Sequence, residues 1–310
     1  MRGVEDLVIA SVVVPMYNAA ATIDQQLEAL AAQRADVEWE LLVCDNGSTD
    51  DSRERVARWH SRIPRLRLID ASARRGPSAA RNIGVAEAQG EWVLFCDADD
   101  VVDPRWIDAH MTALRDYAAV VGRIDYERLR RPGTPMLTWL KAGHLVFHAP
   151  TLPHLSAAGS GNFGIRRDVF LELEGFEESL RTAEDADLSW RLQLAGYELG
   201  FSDALVHIRV RQSYTDIARQ AYRSGASYKG LEHRYAHIRQ QLEPHAGSAP
   251  ADPAALPSRV SRIAERMRQH RLRDWFADVI WGRFHRLGEI AGSADESVPR
   301  IGVNGRPVHG

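Results

Sequence analysis

The feature that most restricts the fold of this sequence is a regular alternation of apolar runs and helical patterns in the first half of the chain. Residues 8–14 form a continuous apolar run rather than an alternating one, and similar runs stand at 39–44, 66–69 and 92–96. Continuous runs are typical of strands covered on both faces. Runs that alternate with helices indicate βαβ units around a parallel sheet. We therefore predict an α/β fold with a mostly parallel sheet flanked by helices.

The second half of the chain is less regular. Arg, Pro, Gly and His interrupt the pattern from about residue 127 to residue 160, which favours a loop-rich region. Regularity returns with a predicted strand at 162–166 and a helix that ends before Gly196. Beyond Ser213 the pattern is helical, with an Ala, Pro, Ser and Asp-rich linker near 246–257.

Composition excludes some classes of protein. The 310 residues carry a formal net charge of -3, which argues against nucleic acid as a partner because phosphate binding usually requires a strongly basic surface. The chain starts without the features of a signal peptide, and no apolar stretch reaches the ~18 residues of a membrane span. Its two cysteines, Cys44 and Cys96, suit buried thiols in a reducing compartment. We expect a cytoplasmic protein, with peripheral contact to a membrane as an open alternative.

An acidic run, Asp97-Ala98-Asp99-Asp100, directly follows the fourth predicted strand. The ligand crevice of an open α/β sheet lies at this end of its strands. Carboxylates one residue apart can direct one side chain toward a metal and another toward a ribose, and oxygen ligands select hard ions such as Mg²⁺ or Mn²⁺. The alternative is an ordinary solvated acidic turn.

Two further clusters occupy neighbouring strand ends. Asp45 and Asn46 follow the second strand, where they could hydrogen-bond a base edge or form an Asn-Gly turn. Arg74, Arg75 and Arg81 surround the start of a predicted helix. Backbone N–H groups and guanidinium groups at a helix N-terminus suit a diphosphate.

Taken together, several segments resemble glycosyltransferase family 2. The resemblance covers roughly residues 8 to 207, with its segments in the order expected of the family; these are SVVVPMYNAA, LLVCDNGSTDDS, GPSAARNIGVAEAQGEWVLFCDADD, SGNFGIRRDVF and TAEDADLSWRLQLAGY. It implies a GT-A fold, that is, a Rossmann-like mixed sheet, and an inverting, nucleotide-sugar-dependent enzyme.

The resemblance also assigns residues to the donor site. The segments that match the nucleotide cradle contain Pro15, Tyr17, Asn18, Asp45, Asn46, Arg81 and Asp97. Asp97 and Asp99 match the metal-and-ribose motif, with Mn²⁺ or Mg²⁺ as the expected ion, and His207 matches a third metal ligand. A UDP-sugar is our preferred donor. Many relatives have two aspartates where this chain has Asp45-Asn46, so the identity of the base stays open.

On the acceptor side, Glu184-Asp185 matches the family's acidic pair, in which the aspartate is the usual catalytic base of inverting members. Gly161 and Asn162 are expected to border donor sugar and acceptor, as is Glu184. A competing interpretation explains the same residues as a capping box. Thr182 and Asp185 have the spacing of such a box, which would stabilise the start of the helix by ~1 kcal/mol. With the preceding segments present, we favour Asp185 as the base.

The arginine-rich stretch 259–286 holds eight arginines and three acids. Apolar residues fall on a predicted helical face within it: Leu272, Phe276, Val279 and Ile280, beside Trp275 and Trp281. Such a helix could dock on an anionic membrane. Packing on the catalytic domain or on a second copy of the chain is the alternative that apolar stripes usually indicate.

These observations predict a GT-A domain at 1–212 and a helical C-terminal extension at 213–310. The nucleotide-binding half of the domain is expected at about 1–122 and the acceptor-binding half at about 123–212. The predicted activity is metal-dependent transfer of a sugar from a nucleoside diphosphate to the hydroxyl of a glycan, a lipid-linked sugar or a natural product. A sugar-1-phosphate nucleotidyltransferase and a non-catalytic nucleotide-sugar-binding protein are the alternatives.

Overall fold

The computed structural model describes residues 8–137, 143, 146–147, 151–152, 154–180, 182–210, 213–242, 272–292, 300–301 and 305–308. An eight-stranded sheet with the order β3-β2-β1-β4-β9-β6-β10-β5 organises the described part. Its strands are β1 (Ala10–Met16), β2 (Trp39–Asp45), β3 (Leu66–Asp70), β4 (Trp92–Cys96), β5 (Val101–Val102), β6 (Ala119–Asp125), β9 (Asn162–Arg166) and β10 (Leu199–His207). Two short pairings of two-residue strands lie outside it among the described residues: β7 (Val146–Phe147) with β8 (Ala157–Ala158), and β11 (Arg300–Ile301) with β12 (Pro307–Val308).

The sheet is mixed and mostly parallel, as predicted. β1 to β4 run parallel, and so do β6 and β10. β9 is antiparallel to both β4 and β6, and therefore joins the two parallel groups. The carboxyl ends of β1, β2 and β4 meet at one edge, because parallel neighbours end on the same side.

Helices cover both faces of the sheet. They are α1 (Ile23–Ala31), α2 (Ser52–Ala57), α3 (Pro77–Glu87), α4 (Trp106–Ala113), α5 (Arg167–Glu172) and α6 (Glu184–Leu194). One face packs on apolar residues of α1, α2 and α4, and the other on apolar residues of α3, α5 and α6. Because both faces are buried, β1 and β2 are apolar almost throughout rather than alternating.

Two long helices follow the sheet, α7 (Tyr214–Leu242) and α8 (Leu272–Ala291). Leu231, Tyr235 and Ile238 of α7 share a buried cluster with Trp190 of α6. The helical character predicted beyond Ser213 is therefore confirmed for these segments. The predicted linker near 246–257 lies outside the described residues, and the boundary at 212 stays a prediction. None of the described helices combines the length and apolar character needed to cross a membrane.

Candidate active site

The acidic run lies directly after β4, at the carboxyl edge of the sheet. Ligand oxygens of Asp97, Asp99 and Asp100 lie within 4.8 Å of one another. The buried Gln26 side chain fixes this loop, because it donates to the Asp97 carbonyl oxygen over 3.0 Å and accepts from the Val102 N–H over 3.1 Å. Among the residues that the structure describes, no other group of His, Cys, Asp or Glu side chains meets this spacing.

Electrostatics at this cluster favour a cation. Asp100 is 4% exposed, and its burial, together with the charges of Asp97 and Asp99, raises the pKa of the Asp100 carboxyl well above its usual range. The backbone N–H of Arg209 donates to Asp100 over 3.0 Å. Carboxylates held this close repel one another. Their hard oxygen donors fit a hard divalent ion. Asp97 and Asp99 were the predicted ligands in this run, whereas Asp100 of the same run was not predicted to be one.

Arg81 connects the acidic run to the second acidic group of the site. Its guanidinium donates to Asp97 over 2.7 Å and contacts Glu184 over 3.4 Å. Burial alone would lower the pKa of the 4% exposed Arg81 side chain, but the charges of Asp97 and Glu184 raise it. Arg81 therefore remains charged while holding two carboxylates, and it was predicted to lie near a diphosphate rather than to bridge them.

Glu184 and Asp185 lie in the first turn of α6, and Glu184 is the second carboxylate that Arg81 contacts. Burial, and then the charge of Asp185, raise the pKa of Glu184 to about 7. Burial also raises the pKa of Asp185, although the Ala186 N–H, 2.8 Å from Asp185 Oδ1, partly opposes that shift. A carboxyl group with a raised pKa is a stronger base once it is ionised, which suits proton transfer near neutral pH.

The capping-box interpretation of this turn is wrong. The residue before α6 is Ala183, whose φ of 66° lies in the left-handed region, and no side chain in the described part of the chain caps the helix. The Thr182 hydroxyl instead donates to the Arg223 carbonyl oxygen over 3.4 Å. A left-handed conformation is uncommon for alanine, and it immediately precedes Glu184, which contacts Arg81 over 3.4 Å.

The loops after β1 and β2 are joined by Asn18, as expected for a single cradle. Asn18 has a φ of 48°, its N–H donates to Ser48 Oγ over 3.0 Å, and its side-chain oxygen accepts from the Thr49 N–H over 2.8 Å. Pro15 lies within β1, and Tyr17 stands 58% exposed beside this junction. An exposed ring at a strand end is available to stack on a base.

Asp45 and Asn46 are placed at the predicted strand end but are engaged within the protein. Asp45 is fully buried and pairs with Arg53 over 2.6 Å. Asn46 donates to the carbonyl oxygens of Ala71 and Arg74 over 2.6 and 2.7 Å and accepts from the Gly76 N–H over 2.8 Å. Asn46 therefore fastens the β2 loop to the loop before α3, a role that sequence analysis missed. A direct contact of either side chain with a base stays a prediction.

The remaining predicted residues lie at the inner border of the site. Gly161 is adjacent to the acidic run, where a Cβ would come within 2.9 Å of Asp97 Oδ2. Asn162 is fully buried, accepts from Trp106 and His110, and donates to the carbonyl oxygens of Arg123 and Ala204. Its side chain is thus used inside the sheet, and its contact with a sugar stays a prediction.

His207 ends β10, and the Asp125 carboxylate orients its ring. Its Nδ1 lies 2.7 Å from Asp125 Oδ2, whereas its buried Nε2 has no hydrogen-bond partner among the described residues. An unpartnered ring nitrogen held by a carboxylate on the other side is the usual arrangement of a metal-ligating histidine. His207 is not part of the aspartate group within 4.8 Å, so its role as third ligand stays a prediction. Asp125 was missed, although it also ends a strand.

Solved structures share this arrangement of strands and helices. A mannosyltransferase from Pyrobaculum calidifontis, solved in complex with GDP-Man and Mn²⁺, matches with a TM-score of 0.63 at 20% identity, over 91% of this chain and 87% of the other. S. aureus TarS in complex with UDP-GlcNAc matches with a TM-score of 0.51 at 17% identity, over 91% of each chain. The fold is therefore the GT-A fold of nucleotide-sugar transferases.

The family model for glycosyl transferase family 2 matches residues 11–173, and the chain belongs to that family. It is 23% identical to the glycosyltransferase AglE of Haloferax volcanii over 71% of this chain and 72% of AglE. It is 30% identical to the succinoglycan biosynthesis protein ExoO of Rhizobium meliloti, of which it covers 52%. Membership confirms a glycosyltransferase enzyme, so the nucleotidyltransferase alternative is not retained.

Proposed function

We propose that this enzyme transfers a sugar from a nucleoside diphosphate to an acceptor hydroxyl, with a divalent ion and with inversion at the anomeric carbon. The observation that carries the proposal is the Arg81 bridge, which places the aspartate cluster and the acidic pair of α6 in one continuous site. The first group suits a charged donor and the second suits proton transfer from an acceptor. The contacts of Arg81 with both groups therefore support a site that serves both functions that direct displacement requires.

On the donor side, Asp97 and Asp99 would hold Mn²⁺ or Mg²⁺, with the adjacent Asp100 and His207 as further candidate ligands. The ion would neutralise charge that develops on the leaving diphosphate. Tyr17 and the loops joined by Asn18 would bind the nucleoside, and Arg81 would stay charged beside the diphosphate. UDP is our preferred nucleotide, although the related mannosyltransferase was solved with GDP-Man.

On the acceptor side, Asp185 would accept the proton of the attacking hydroxyl as the new C–O bond forms. The Ala186 N–H, which donates to Asp185 Oδ1 over 2.8 Å, fixes the orientation of this carboxylate. Glu184, held by Arg81, would position the donor sugar or the acceptor. Attack from the face opposite the leaving diphosphate inverts the anomeric centre, and the proton passes to Asp185 without a covalent intermediate.

A thermal-shift series tests the donor assignment. UDP, GDP, CDP and their sugars would be added with and without Mn²⁺, because a ligand that binds the native state alone raises its melting temperature. We expect the largest rise for UDP compounds with Mn²⁺. Equal shifts for all three bases would overturn the base preference, and shifts independent of Mn²⁺ would overturn the metal requirement. The anomeric configuration of the product, read by NMR, decides between inversion and retention.

A further inference from the structure

The second long helix, α8, has one face that is firmly packed. Asp274 is 2% exposed and accepts from the Met136 N–H over 3.1 Å and from Arg130 over 3.2 Å. Ala277 is fully buried in a cluster with Leu137 and Ile217, against which Ile280 and Trp281 also pack. This face attaches α8 to the segment that follows β6.

Close backbone contact with α7 fixes the rotation of α8. A Cβ at Gly225 of α7 would overlap the carbonyl oxygen of His285, and a Cβ at Gly288 of α8 would overlap that of Tyr222. Helices that approach this closely interlock through their backbones. The opposite side of α8 is therefore held outward.

That outward side is apolar. Phe276, Val279 and Leu287 are about half exposed, and Ile290 is 75% exposed. Their separations of three, eight and three residues return to the same side of a helix. The predicted stripe is thus divided, because Ile280 and Trp281 pack inward while Phe276 and Val279 face solvent. Contiguous apolar surface rimmed by polar groups marks an interaction site.

The charge on this side is positive. Arg283 falls between Val279 and Leu287 on the same side, Arg286 borders it, and both are exposed. The three acids of α8 lie away from it. Asp274 is buried. Asp278 and Glu289 stand five residues before and six residues after Arg283, which places each roughly 120–140° around the helix from it. The sequence immediately before α8, residues 259–271, holds five arginines and one acid.

We propose that the outward face of α8, formed by Phe276, Val279, Arg283, Leu287 and Ile290, docks on an anionic lipid bilayer. An apolar stripe with arginine on and beside it is suited to a helix that lies in the interface plane, with its apolar side chains among acyl chains and its guanidinium groups at the headgroups. A second copy of the chain fits less well, because a symmetric pairing of this face would oppose like charges. The proposal does not depend on the donor, metal or base assignments.

Vesicle co-sedimentation of the full chain tests this docking. The probes are vesicles of phosphatidylcholine alone and of phosphatidylcholine with phosphatidylglycerol. We expect binding to the anionic vesicles and weakening at high salt, because screening shortens the range of the attraction. Leu287→Ser with Ile290→Ser should lower the partition by about tenfold or more. Arg283→Gln with Arg286→Gln should lower it by about fivefold per arginine.

Matched substitutions elsewhere serve as controls. Leu171→Ser removes an apolar residue that is 48% exposed on α5, and Arg58→Gln with Arg115→Gln removes two exposed arginines. These should leave vesicle binding unchanged. Absence of binding to anionic vesicles, or equal loss in control and α8 variants, would overturn the proposal. So would a dimer, seen by light scattering, that the Leu287→Ser and Ile290→Ser changes dissociate.

Discussion

The donor-side loops and the acidic pair of α6 are held in place by different chemistry. Neutral amides of Asn18 and Asn46 fasten loops that follow adjacent strands. Behind the acidic pair, fully buried Asp187 contacts Arg191 over 2.8 Å and Arg234 over 2.7 Å, and accepts from Tyr235 over 2.8 Å. Losing a neutral hydrogen bond costs about 1 kcal/mol, whereas breaking a buried ion pair costs about 3–5 kcal/mol.

The difference lies in which part of the chain supplies the supporting side chains. Arg234 and Tyr235 belong to α7, so charged support for α6 comes from the region predicted to be an extension. The donor loops are fastened by residues within the first hundred of the chain, among them Asn18, Gln26, Asn46 and Arg53. The two sides of one site should therefore respond differently to comparable substitutions.

The largest effect on stability is expected for Asp187→Ala, which leaves Arg191 and Arg234 buried without their shared carboxylate. The free energy of unfolding, measured with urea, should fall by about 3–5 kcal/mol. Asn46→Ala, the matched change on the donor side, should cost about 1–3 kcal/mol. Equal losses in the two variants would contradict the comparison.

The next effect concerns catalysis. Asp185→Asn keeps an oxygen for the Ala186 N–H but removes the charge and basicity, so transfer should fall by ~10²-fold or more while nucleotide affinity stays near that of the parent. Affinity would be measured by calorimetry and turnover with an identified acceptor. Asp168→Asn is the control, because Asp168 accepts from the following N–H over 2.8 Å at the start of α5. Near-normal turnover in Asp185→Asn would remove its assignment as the base.

A smaller effect is expected for Asp99→Ala on the donor side. Loss of one charged oxygen from the aspartate group should weaken Mn²⁺-dependent UDP affinity by about tenfold, since altered metal ligation typically costs at least that much. Asp116→Ala, at an exposed aspartate outside the site, should leave affinity unchanged. Isothermal calorimetry with and without Mn²⁺ separates the two cases. Unchanged affinity for Asp99→Ala would exclude it as a ligand.

The smallest effect is a pH dependence from Glu184. Its folded-state pKa of about 7 lies above the ordinary value of 4.5, so the folded protein binds the extra proton between these pH values. Stability contributed by this site therefore falls as pH rises from 4.5 to 7. Glu184→Gln should reduce the fall in the free energy of unfolding between pH 5 and pH 8 by on the order of 1 kcal/mol. Urea titrations at pH 5 and pH 8 measure the slope, and parallel slopes in parent and variant would contradict the assignment.

The sequence predicted the first four strands because their signals are local, but it did not predict β5 or β6. Continuous apolar runs marked β1, β2 and β4, and the acidic run after β4 identified the carboxyl edge as the site. The bridge made by Arg81 could not be predicted, since Asp97 and Glu184 lie 16 and 103 residues from it in sequence. Contacts at such separations depend on packing that no local pattern encodes.

For the C-terminal helices, the sequence predicted the secondary structure but not which residues face inward. Periodicity correctly indicated helices beyond Ser213, but it could not divide the apolar residues of α8 between two sides. Whether Ile280 or Val279 faces inward depends on where Gly225 and Gly288 let the backbones meet, which is a property of two helices together. The capping-box prediction was wrong for a similar reason, because the residues around Ala183 do not predict its left-handed backbone conformation.

The position of β9 has a consequence for the order in which this protein can be made. In the described sheet, β6 reaches the first four strands only through β9, which occupies Asn162–Arg166. A growing chain can therefore assemble β1 to β4 from its first hundred or so residues, but the inner edge of β4 stays unpaired until β9 emerges from the ribosome. Exposed strand edges invite pairing with other chains. During synthesis, the group formed by β1 to β4 keeps this edge open until β9 is available, so pauses in translation before Asn162 would be the interval of greatest risk for misassembly.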